Sequence, residues 1–411
     1  MHDAAPVPPL LDLTPLNPVF REDPHSLLDA LRAGAPVHRD AAAGTVVLSR
    51  HADVRAVLND RSLWRDPARA EAASFIARLL LADTDPHLAR THATSILLLD
   101  DPDHRRLREP LAKALYARVA RCRPAVEGIV DAALDALAGE RVFDLMARFC
   151  EPIPIDVIAA LLGVDHDRLA EFRDWSQAIV EVFNPARTPQ AGARLEAARA
   201  ALGDYLLATM AERRASPRDD LISDMTALQA QGAPIDDQEL ALNLAALLVG
   251  GNVTTTDLIG NAVRLFLLHP EERAKLRADP ALIALAVEEV LRFDPPVDVT
   301  GRVASRDLTI SGCPVGATQS ITCALRAANR DPAVFADPHR FDITRPHAPH
   351  VAFGGGSHIC IGAPLARLEA QIALPRLFDR FPTLRLADPE APAQWRMLPF
   401  FRGLQRLEVA V

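Results

Sequence analysis

The apolar positions of this chain recur mostly every three to four residues, which predicts a mainly α-helical protein. The longest uninterrupted pattern covers residues 237–268, between Pro234 and the pair His269-Pro270, and predicts one long helix through the core. Shorter helices are predicted at about residues 24–33, 53–58, 103–116, 124–138, 153–162, 169–183, 190–214, 270–276, 281–292 and 363–381.

Strand-like alternation is confined to short segments of the chain. Val37 and residues 45–49 predict a hairpin, residues 297–323 predict several short strands, and a small sheet is expected near the C-terminus. Residues 66–99 give an irregular pattern, interpreted as a long loop with short helices. The predicted fold class is mainly α with small β-sheets. Because no linker divides the elements, we predict one domain over residues 1–411, with a Pro-rich lead at residues 1–20.

Composition and charge narrow the range of partners. A chain of 411 residues with 49% hydrophobic content can bury a large core, and a net charge of −9 argues against general nucleic-acid binding. The first residues have neither the basic nor the apolar region of a signal peptide, and no run of about twenty apolar residues follows. We therefore expect a cytoplasmic, monomeric protein without a membrane anchor. Five cysteines without a CxxC pair suit a reducing compartment.

The most informative segment is the glycine-rich run of residues 353–362, which contains Cys360 and precedes a predicted helix with Pro364 in its first turn. Free N–H donors and the positive end of the helix favour a thiolate at this position, and the thiolate is the form that binds a metal. A cysteine considered alone is more often buried and inert. That interpretation is kept for the remaining four, Cys122, Cys150, Cys313 and Cys323.

The run resembles the haem-binding signature of the cytochrome P450 superfamily, soluble bacterial type, through Phe353, Gly354, Gly356, His358, Cys360 and Gly362. The resemblance implies a P450 fold with the long central helix over a haem b, whose iron takes the Cys360 thiolate as axial ligand. Glu289 and Arg292 lie three residues apart on one helix and resemble the family's ExxR element. With Arg340, the resemblance implies, they form a buried network that supports the cysteine loop.

The resemblance also assigns residues that bind the haem. The two haem propionates need cationic or hydrogen-bonding partners when buried. At the matching positions stand His104, Arg108, Arg302 and His358, while Phe353, Gly354 and Gly362 belong to the cysteine loop.

The long helix contains Gly250 and Gly251, which cost about 1 kcal/mol each relative to alanine in a helix and therefore need an explanation. Residues 247–255 resemble the family's oxygen-activation motif, which implies room for dioxygen and a proton-delivering hydroxyl at Thr254. The motif's acid is replaced by Val253, with Asp257 one turn further on. Three explanations stay open: Asp257 or a water chain delivers protons, the substrate supplies a polar group, or proton delivery is slow in a specialised enzyme.

The function implied is that of a haem-thiolate monooxygenase, which inserts one atom of O2 into a small, largely apolar organic substrate. Candidate substrate-lining residues are Leu247, Val297, Val299 and Phe400, all equally suited to the core. The alternatives are a haem-thiolate enzyme that uses peroxide or performs no oxygenation, and a haem-binding sensor or carrier.

Electrons must come from outside the chain, because it has no flavin fingerprint and no iron–sulfur cysteine cluster. The resemblance implies that NAD(P)H supplies them through separate proteins. We expect a ferredoxin or flavodoxin-type donor with its reductase. Arg105, Arg106, Lys113 and Arg367 form a possible basic patch for an acidic donor, or simply a solvated helix face.

Overall fold

The computed structural model describes residues 8–81, 95–346 and 349–411, which fall into two compact units. Unit 1 comprises the described residues within 1–84, 261–360 and 390–405, and unit 2 comprises those within 85–260, 361–389 and 406–411. The chain is 57% helical with small sheets, which confirms the predicted fold class. The prediction of one domain over the whole chain stays a prediction.

Unit 1 contains seven complete helices among its described residues. They are α1 (Pro18–Glu22), α2 (Pro24–Gly34), α3 (His51–Asn59), α4 (Phe75–Leu81), α12 (Pro270–Ala278), α13 (Ile283–Phe293) and α14 (Leu325–Ala328). Proline in the first turn and an aspartate cap explain the start of α2, where the Asp23 side chain accepts a hydrogen bond from the His25 N–H.

The main sheet of unit 1 has the order β1-β2-β7-β4. Its strands are β1 (Val37–Asp40), β2 (Thr45–Leu48), β4 (Val299–Val303) and β7 (Ser320–Ala324). β1 and β2 pair antiparallel as the predicted hairpin, β2 pairs parallel with β7, and β7 pairs antiparallel with β4. The smaller strands are β5 (Leu308–Ile310), β6 (Cys313–Val315), β9 (Gln394–Trp395) and β10 (Leu404–Arg406), the last of which ends in unit 2.

Among the described residues of unit 1, two apolar clusters lie on opposite sides of this sheet's strands. Val46 and Leu48 belong to one cluster and Val47 to the other, because successive residues of a strand face opposite sides. The second cluster also holds the N-terminal residues Leu10 and Phe20. Burial of both faces explains why β2 reads as a continuous apolar run.

Unit 2 is built mainly of long helices. They are α5 (Asp103–Val119), α6 (Arg123–Asp135), α7 (Pro152–Leu162), α8 (Leu169–Val180), α9 (Pro189–Ala215), α10 (Leu221–Ala230) and α15 (Ala363–Arg380). α8 packs on α9, and α6 packs on α15. A three-stranded antiparallel sheet has the order β3 (Val142–Asp144), β11 (Glu408–Ala410), β8 (Arg385–Leu386).

Helix α11 (Asp237–Leu268) has the bounds that the sequence predicts, and its residues belong to unit 2 up to Gly260 and to unit 1 from Asn261. Within the described residues it is the one helix long and apolar enough to cross a membrane, yet 61% of its most apolar window is buried in the protein. It is therefore a core helix, as expected.

Most other predicted helices are present with ends shifted by a few residues. The helix predicted over residues 169–183 ends earlier, and its last three residues form a separate 3-10 turn. Helix α10 was not predicted, although the Asp220 side chain caps it by accepting a hydrogen bond from the Ser223 N–H. Of the irregular segment 66–99, residues 67–69 and 75–81 are helical, and residues 82–94 lie outside the described part, as do residues 1–7 of the predicted lead.

Candidate active site

Cys360 lies at the end of a closed turn in unit 1. Its N–H donates to the carbonyl oxygen of Phe353 at 2.9 Å, and the Gly354 N–H donates to Val351 in the same turn. The Cys360 side chain is exposed, and α15 begins three residues later, after Gly362 as N-cap. The loop therefore presents a thiol outward from a backbone that is fixed by its own hydrogen bonds.

The loop's glycines are required by contact with the end of α3. A Cβ on Gly356 would lie 2.3 Å from the Leu58 carbonyl oxygen, and Gly356 has a φ of +66° that disfavours side chains. A Cβ on Gly355 would lie 3.2 Å from Leu58 and Asn59 side-chain atoms. Close packing against protein, rather than against a flat ligand alone, accounts for glycine at these two positions.

Arg302 joins the same contact. It is almost fully buried on β4, and its Nη2 donates to the carbonyl oxygens of Leu58 and Gly355, both at 3.2 Å. The residue predicted to bind a propionate thus also ties the cysteine loop to α3. A guanidinium has five N–H donors, so Arg302 can bind a propionate and the two carbonyl oxygens at the same time.

Three of the remaining cysteines are poor candidates for a thiolate. Burial raises the pKa of the Cys323 thiol to about 12 and the pKa of Cys150 well above its ordinary value. Burial also raises the pKa of Cys122, and Glu369 adds to the effect. Cys360 is the exposed thiol of the five.

The ion pair predicted for Glu289 and Arg292 is present and buried in unit 1. Arg292 donates through Nε and Nη2 to the two carboxylate oxygens at 2.7 and 2.8 Å. Its Nη1 donates to the carbonyl oxygens of Asn329 and Pro338 at 3.0 Å, which fastens α13 to the following segment. These charge-assisted bonds satisfy both buried ions.

The prediction that Arg340 is the third member of this network is wrong. Its side chain is 63% exposed, 3.9 Å from Asp342, and only its carbonyl oxygen accepts hydrogen bonds from the network. Arg345 takes the place instead, with Nε 3.2 Å from Glu289 Oε2. The chain turns after Asp337, which has a φ of +44°, and this turn leaves Arg340 outside.

The predicted oxygen-side residues form one face of α11 in unit 2, because residues 250, 254 and 257 follow the helical repeat. Gly250 is exposed with nothing within 4 Å of a Cβ, and the Thr254 hydroxyl donates to its carbonyl oxygen at 2.7 Å. Asp257 is fully buried, and Val253 is also buried. Gly251 lies against Ile158. On this face Gly250 is therefore exposed, Thr254 is half-buried and Asp257 is buried.

His104 and Arg108 lie one turn apart on α5, the first buried and the second half-buried. The His104 ring lies 3.6 Å from Asp101.

Arg106, from the suggested basic patch, is paired with Glu239 at 2.6 Å, and this hydrogen bond holds the pKa of Glu239 below its ordinary value. The charge of Arg106 is therefore balanced within unit 2, whereas Arg105 and Lys113 are exposed.

The other predicted haem-loop residues are half-buried in the turn. His358 lies in a 3-10 turn, and the Phe353 ring is 6.1 Å from that of His350.

The substrate candidates are placed more deeply. Phe400 is buried in an apolar cluster with Val299, and its ring meets Phe75 edge-on. Val297 packs against the other cluster of unit 1, and Leu247 is buried.

A sequence model of the family described as "Cytochrome P450" matches residues 43–398. The chain belongs to the cytochrome P450 family. "Cytochrome P450 107B1" of Saccharopolyspora erythraea is 38% identical over 403 residues, 97% of each chain. "Nocardicin C N-oxygenase" of Nocardia uniformis is 38% identical over 408 residues, 98% of this chain and 96% of the relative. The structure of P450BioI, in complex with acyl carrier protein ligated to hexadec-9Z-enoic acid, has a TM-score of 0.86 and 32% identity, covering 96% of this chain and 100% of that one.

The family implies a haem with cysteine thiolate ligation and an enzyme of the monooxygenase type, and its named relatives here are bacterial. The residues of this P450 fit such a group. Cys360 is an exposed soft donor on a turn that is fixed by its own hydrogen bonds.

Sequence reasoning missed two features of unit 1. Arg345 stands five residues after the arginine that was chosen, and only the turn after Asp337 distinguishes the two. The contact of Gly355 and Gly356 with Leu58 joins segments almost 300 residues apart, so no local pattern could have revealed it.

Proposed function

We propose that this P450 is a haem-thiolate monooxygenase that inserts one oxygen atom from O2 into a small, largely apolar organic substrate. The observation that carries the proposal is the exposed thiol of Cys360, held in a turn closed by its own N–H and supported by Arg302. Three other thiols have a pKa raised by burial, so they are disfavoured as ligands.

Haem b, when bound, supplies the redox chemistry that dioxygen activation requires, and a thiolate ligand favours cleavage of the O–O bond. Cys360 is the residue that would hold the iron. His104, Arg108, Arg302 and His358 would bind the propionates, with Phe353, Gly354 and Gly362 shaping the loop. Because the Cys360 N–H is bonded to Phe353, the thiolate can be positioned without rearranging the turn.

Thr254 is the residue proposed to deliver protons. Its hydroxyl proton points to the Gly250 carbonyl, so the lone pairs of Oγ1 are available to accept a hydrogen bond from a water. Proton transfer requires the hydroxyl to exchange partners, at a cost of about 1 kcal/mol. Val253, at the motif's acid position, is buried and has no proton to exchange. Asp257, one turn further on, is therefore the carboxyl group proposed to assist Thr254.

Two observations support the proposed substrate class. Relatives include a "6-deoxyerythronolide B hydroxylase" and a "Vitamin D(3) 25-hydroxylase", both named as hydroxylases of organic molecules. The candidates Leu247, Val297, Val299 and Phe400 are apolar. We propose that the protein works in the cytoplasm as a monomer and takes electrons from NAD(P)H through a ferredoxin or flavodoxin-type donor and its reductase.

The absorption spectrum of the reduced, carbon-monoxide-bound protein tests the ligation. We expect the red-shifted Soret band of a thiolate-ligated haem in the wild type and its loss in Cys360→Ser. Cys313→Ser, which alters a half-buried thiol, is the matched control and should keep the band. A Cys360→Ser protein that keeps the red-shifted band would refute the assignment.

Product formation with a reductase system, compared with hydrogen peroxide alone, tests the reaction. We expect turnover by the wild type, which has Thr254, to depend on NAD(P)H and dioxygen. Equal or greater turnover with peroxide alone would favour the peroxide-using alternative, for which Val253 at the acid position is the supporting observation.

A further inference from the structure

A fully buried arginine in unit 1 belongs to none of the roles described above. Arg326 lies on α14, and its guanidinium donates to Asp294, to Asp298 and to the Pro295 carbonyl oxygen. Asp298 lies between Val297 and Val299, two of the candidate substrate residues. We call Arg326, Asp294, Asp298 and Arg402 the Arg326 cluster.

The cluster is held together by charge in a water-poor setting. Burial raises the pKa of Asp294, but the guanidinium groups of Arg326 and Arg402 outweigh it and hold this pKa below its ordinary value. Arg402 Nε lies 3.5 Å from Asp294, and its guanidinium stacks 3.7 Å from the Trp395 ring centroid. Removing one ion from such a group leaves another uncompensated, so its geometry is strongly enforced.

Backbone hydrogen bonds connect the cluster to the segments that carry the candidate substrate residues. The Asp298 N–H donates to the Phe400 carbonyl oxygen at 2.9 Å, and the Leu325 N–H donates to the Asp298 carbonyl oxygen at 2.8 Å. The Arg402 N–H donates to Pro296 at 2.9 Å. The cluster therefore joins β4, α14 and the turn at Phe400 at one point of unit 1.

Asp298 depends on Arg326 for its orientation. Among the described residues, Arg326 is the side-chain donor to its Oδ1, while Oδ2 is buried without a hydrogen-bond partner. Asp298 lines a cavity of about 10 Å³ together with Arg326 and Val299, and this volume is at the lower limit for a single water.

We infer that Arg326 is a positioning residue that sets the ligand selectivity of this P450, by fixing β4 and the turn at Phe400 through Asp298 and Asp294. The inference rests on the proposed function, since it requires that Val297, Val299 and Phe400 meet the substrate. It assigns Arg326 no contact with substrate or haem. Phe400 supports this mode of action, because it holds a φ of +69°, a conformation that non-glycine residues keep only under tight constraint.

Two iron-binding probes separate selectivity from folding. Imidazole needs only access to the iron, whereas 4-phenylimidazole also needs room for its ring, and both shift the Soret band of a haem protein that they ligate. We expect Asp298→Asn to change the ratio of the two dissociation constants by about fivefold or more. Arg326→Lys, which keeps the charge but loses the bidentate fork, should change the ratio in the same direction.

The matched control is Asp220→Asn. Asp220 accepts a hydrogen bond from Arg213 Nε at 2.7 Å in unit 2, with both side chains buried, so it reproduces the loss of a buried ion pair. We expect Asp220→Asn to lower the free energy of unfolding while the ratio stays within about twofold of the wild type.

An unchanged ratio in both Asp298→Asn and Arg326→Lys would overturn the inference, as would an equal change in Asp220→Asn. If Asp298→Asn fails to fold, Arg326→Lys decides alone. Failure of the proposed function looks different, since a wild type without the thiolate Soret band would fail before any ratio is measured.

Discussion

At the residue scale, the least expected group is Glu369 in the middle of α15. It is fully buried, and its Oε2 has no hydrogen-bond partner among the described residues. Burial raises the pKa of this carboxyl well above its ordinary value. The carboxyl is therefore neutral in the folded protein at pH values at which it would be ionised in the unfolded chain.

This neutral carboxyl predicts a pH dependence of stability. Above the pKa of an unfolded glutamate, near 4.3, the unfolded chain releases a proton that the folded protein keeps, so stability falls by about 1.4 kcal/mol per pH unit until the folded pKa is reached. Glu369→Gln removes this dependence. Urea unfolding at pH 5 to 8 should show the variant gaining stability over the wild type as pH rises.

Glu109→Gln, at an exposed position on α5, is the control and should not change the pH slope relative to the wild type. A slope that is the same in Glu369→Gln and the wild type would show that Glu369 is ionised in the folded protein. The sequence gives no warning of this residue, because its position on α15 fits both the buried and the exposed face until the packing of α6 is known.

At the scale of elements, helices were predicted well because their periodicity and caps are local, and α11 is the clearest case. The site network was predicted only in part. Glu289 and Arg292 meet because they share a face of α13, a relation that spacing alone determines. Arg345 approaches Glu289 from a different segment, and its position depends on the turn after Asp337.

The network predicts a contrast between two neighbouring arginines. Arg345→Leu removes the hydrogen bond from Nε to buried Glu289 and should lower the free energy of unfolding by about 1–3 kcal/mol. Arg340→Leu removes an exposed side chain and should change it by less than about 0.5 kcal/mol. Denaturant unfolding of the two variants checks this. Equal losses would mean that Arg340 enters the network after all.

At the scale of the whole molecule, neither unit is continuous in sequence. Unit 1 is assembled from three segments, and α11 contributes residues to both units without a break. α11 has fully buried side chains in both parts, such as Ile259 and Val263, so unfolding of the helix in one unit would also weaken the other. We therefore keep the proposal that the chain is one domain that unfolds cooperatively.

The proposal predicts the effect of damage to the smaller sheet. Val409 is fully buried in β11, between Phe143 and Leu386, and Val409→Ser should cost about 2–4 kcal/mol through lost packing and an unsatisfied hydroxyl. Hydrogen exchange should then accelerate in β2 and β7 of unit 1 as well as in β3.

Val142→Ser, on the same sheet but 56% exposed, is the control and should leave exchange nearly unchanged. Faster exchange confined to unit 2 in Val409→Ser would show that the two units open independently, against the one-domain prediction.

The order of strands in that sheet has a consequence for synthesis. β11 is the middle strand, and the residue before it, Leu407, bonds to Asp144 across 263 positions. At about 5–20 residues per second, a ribosome takes on the order of 13–50 s to extend the chain from β3 to β11. During that interval β3 leaves the ribosome with no strand to pair with. This sheet can therefore form only after nearly the whole chain has been synthesised.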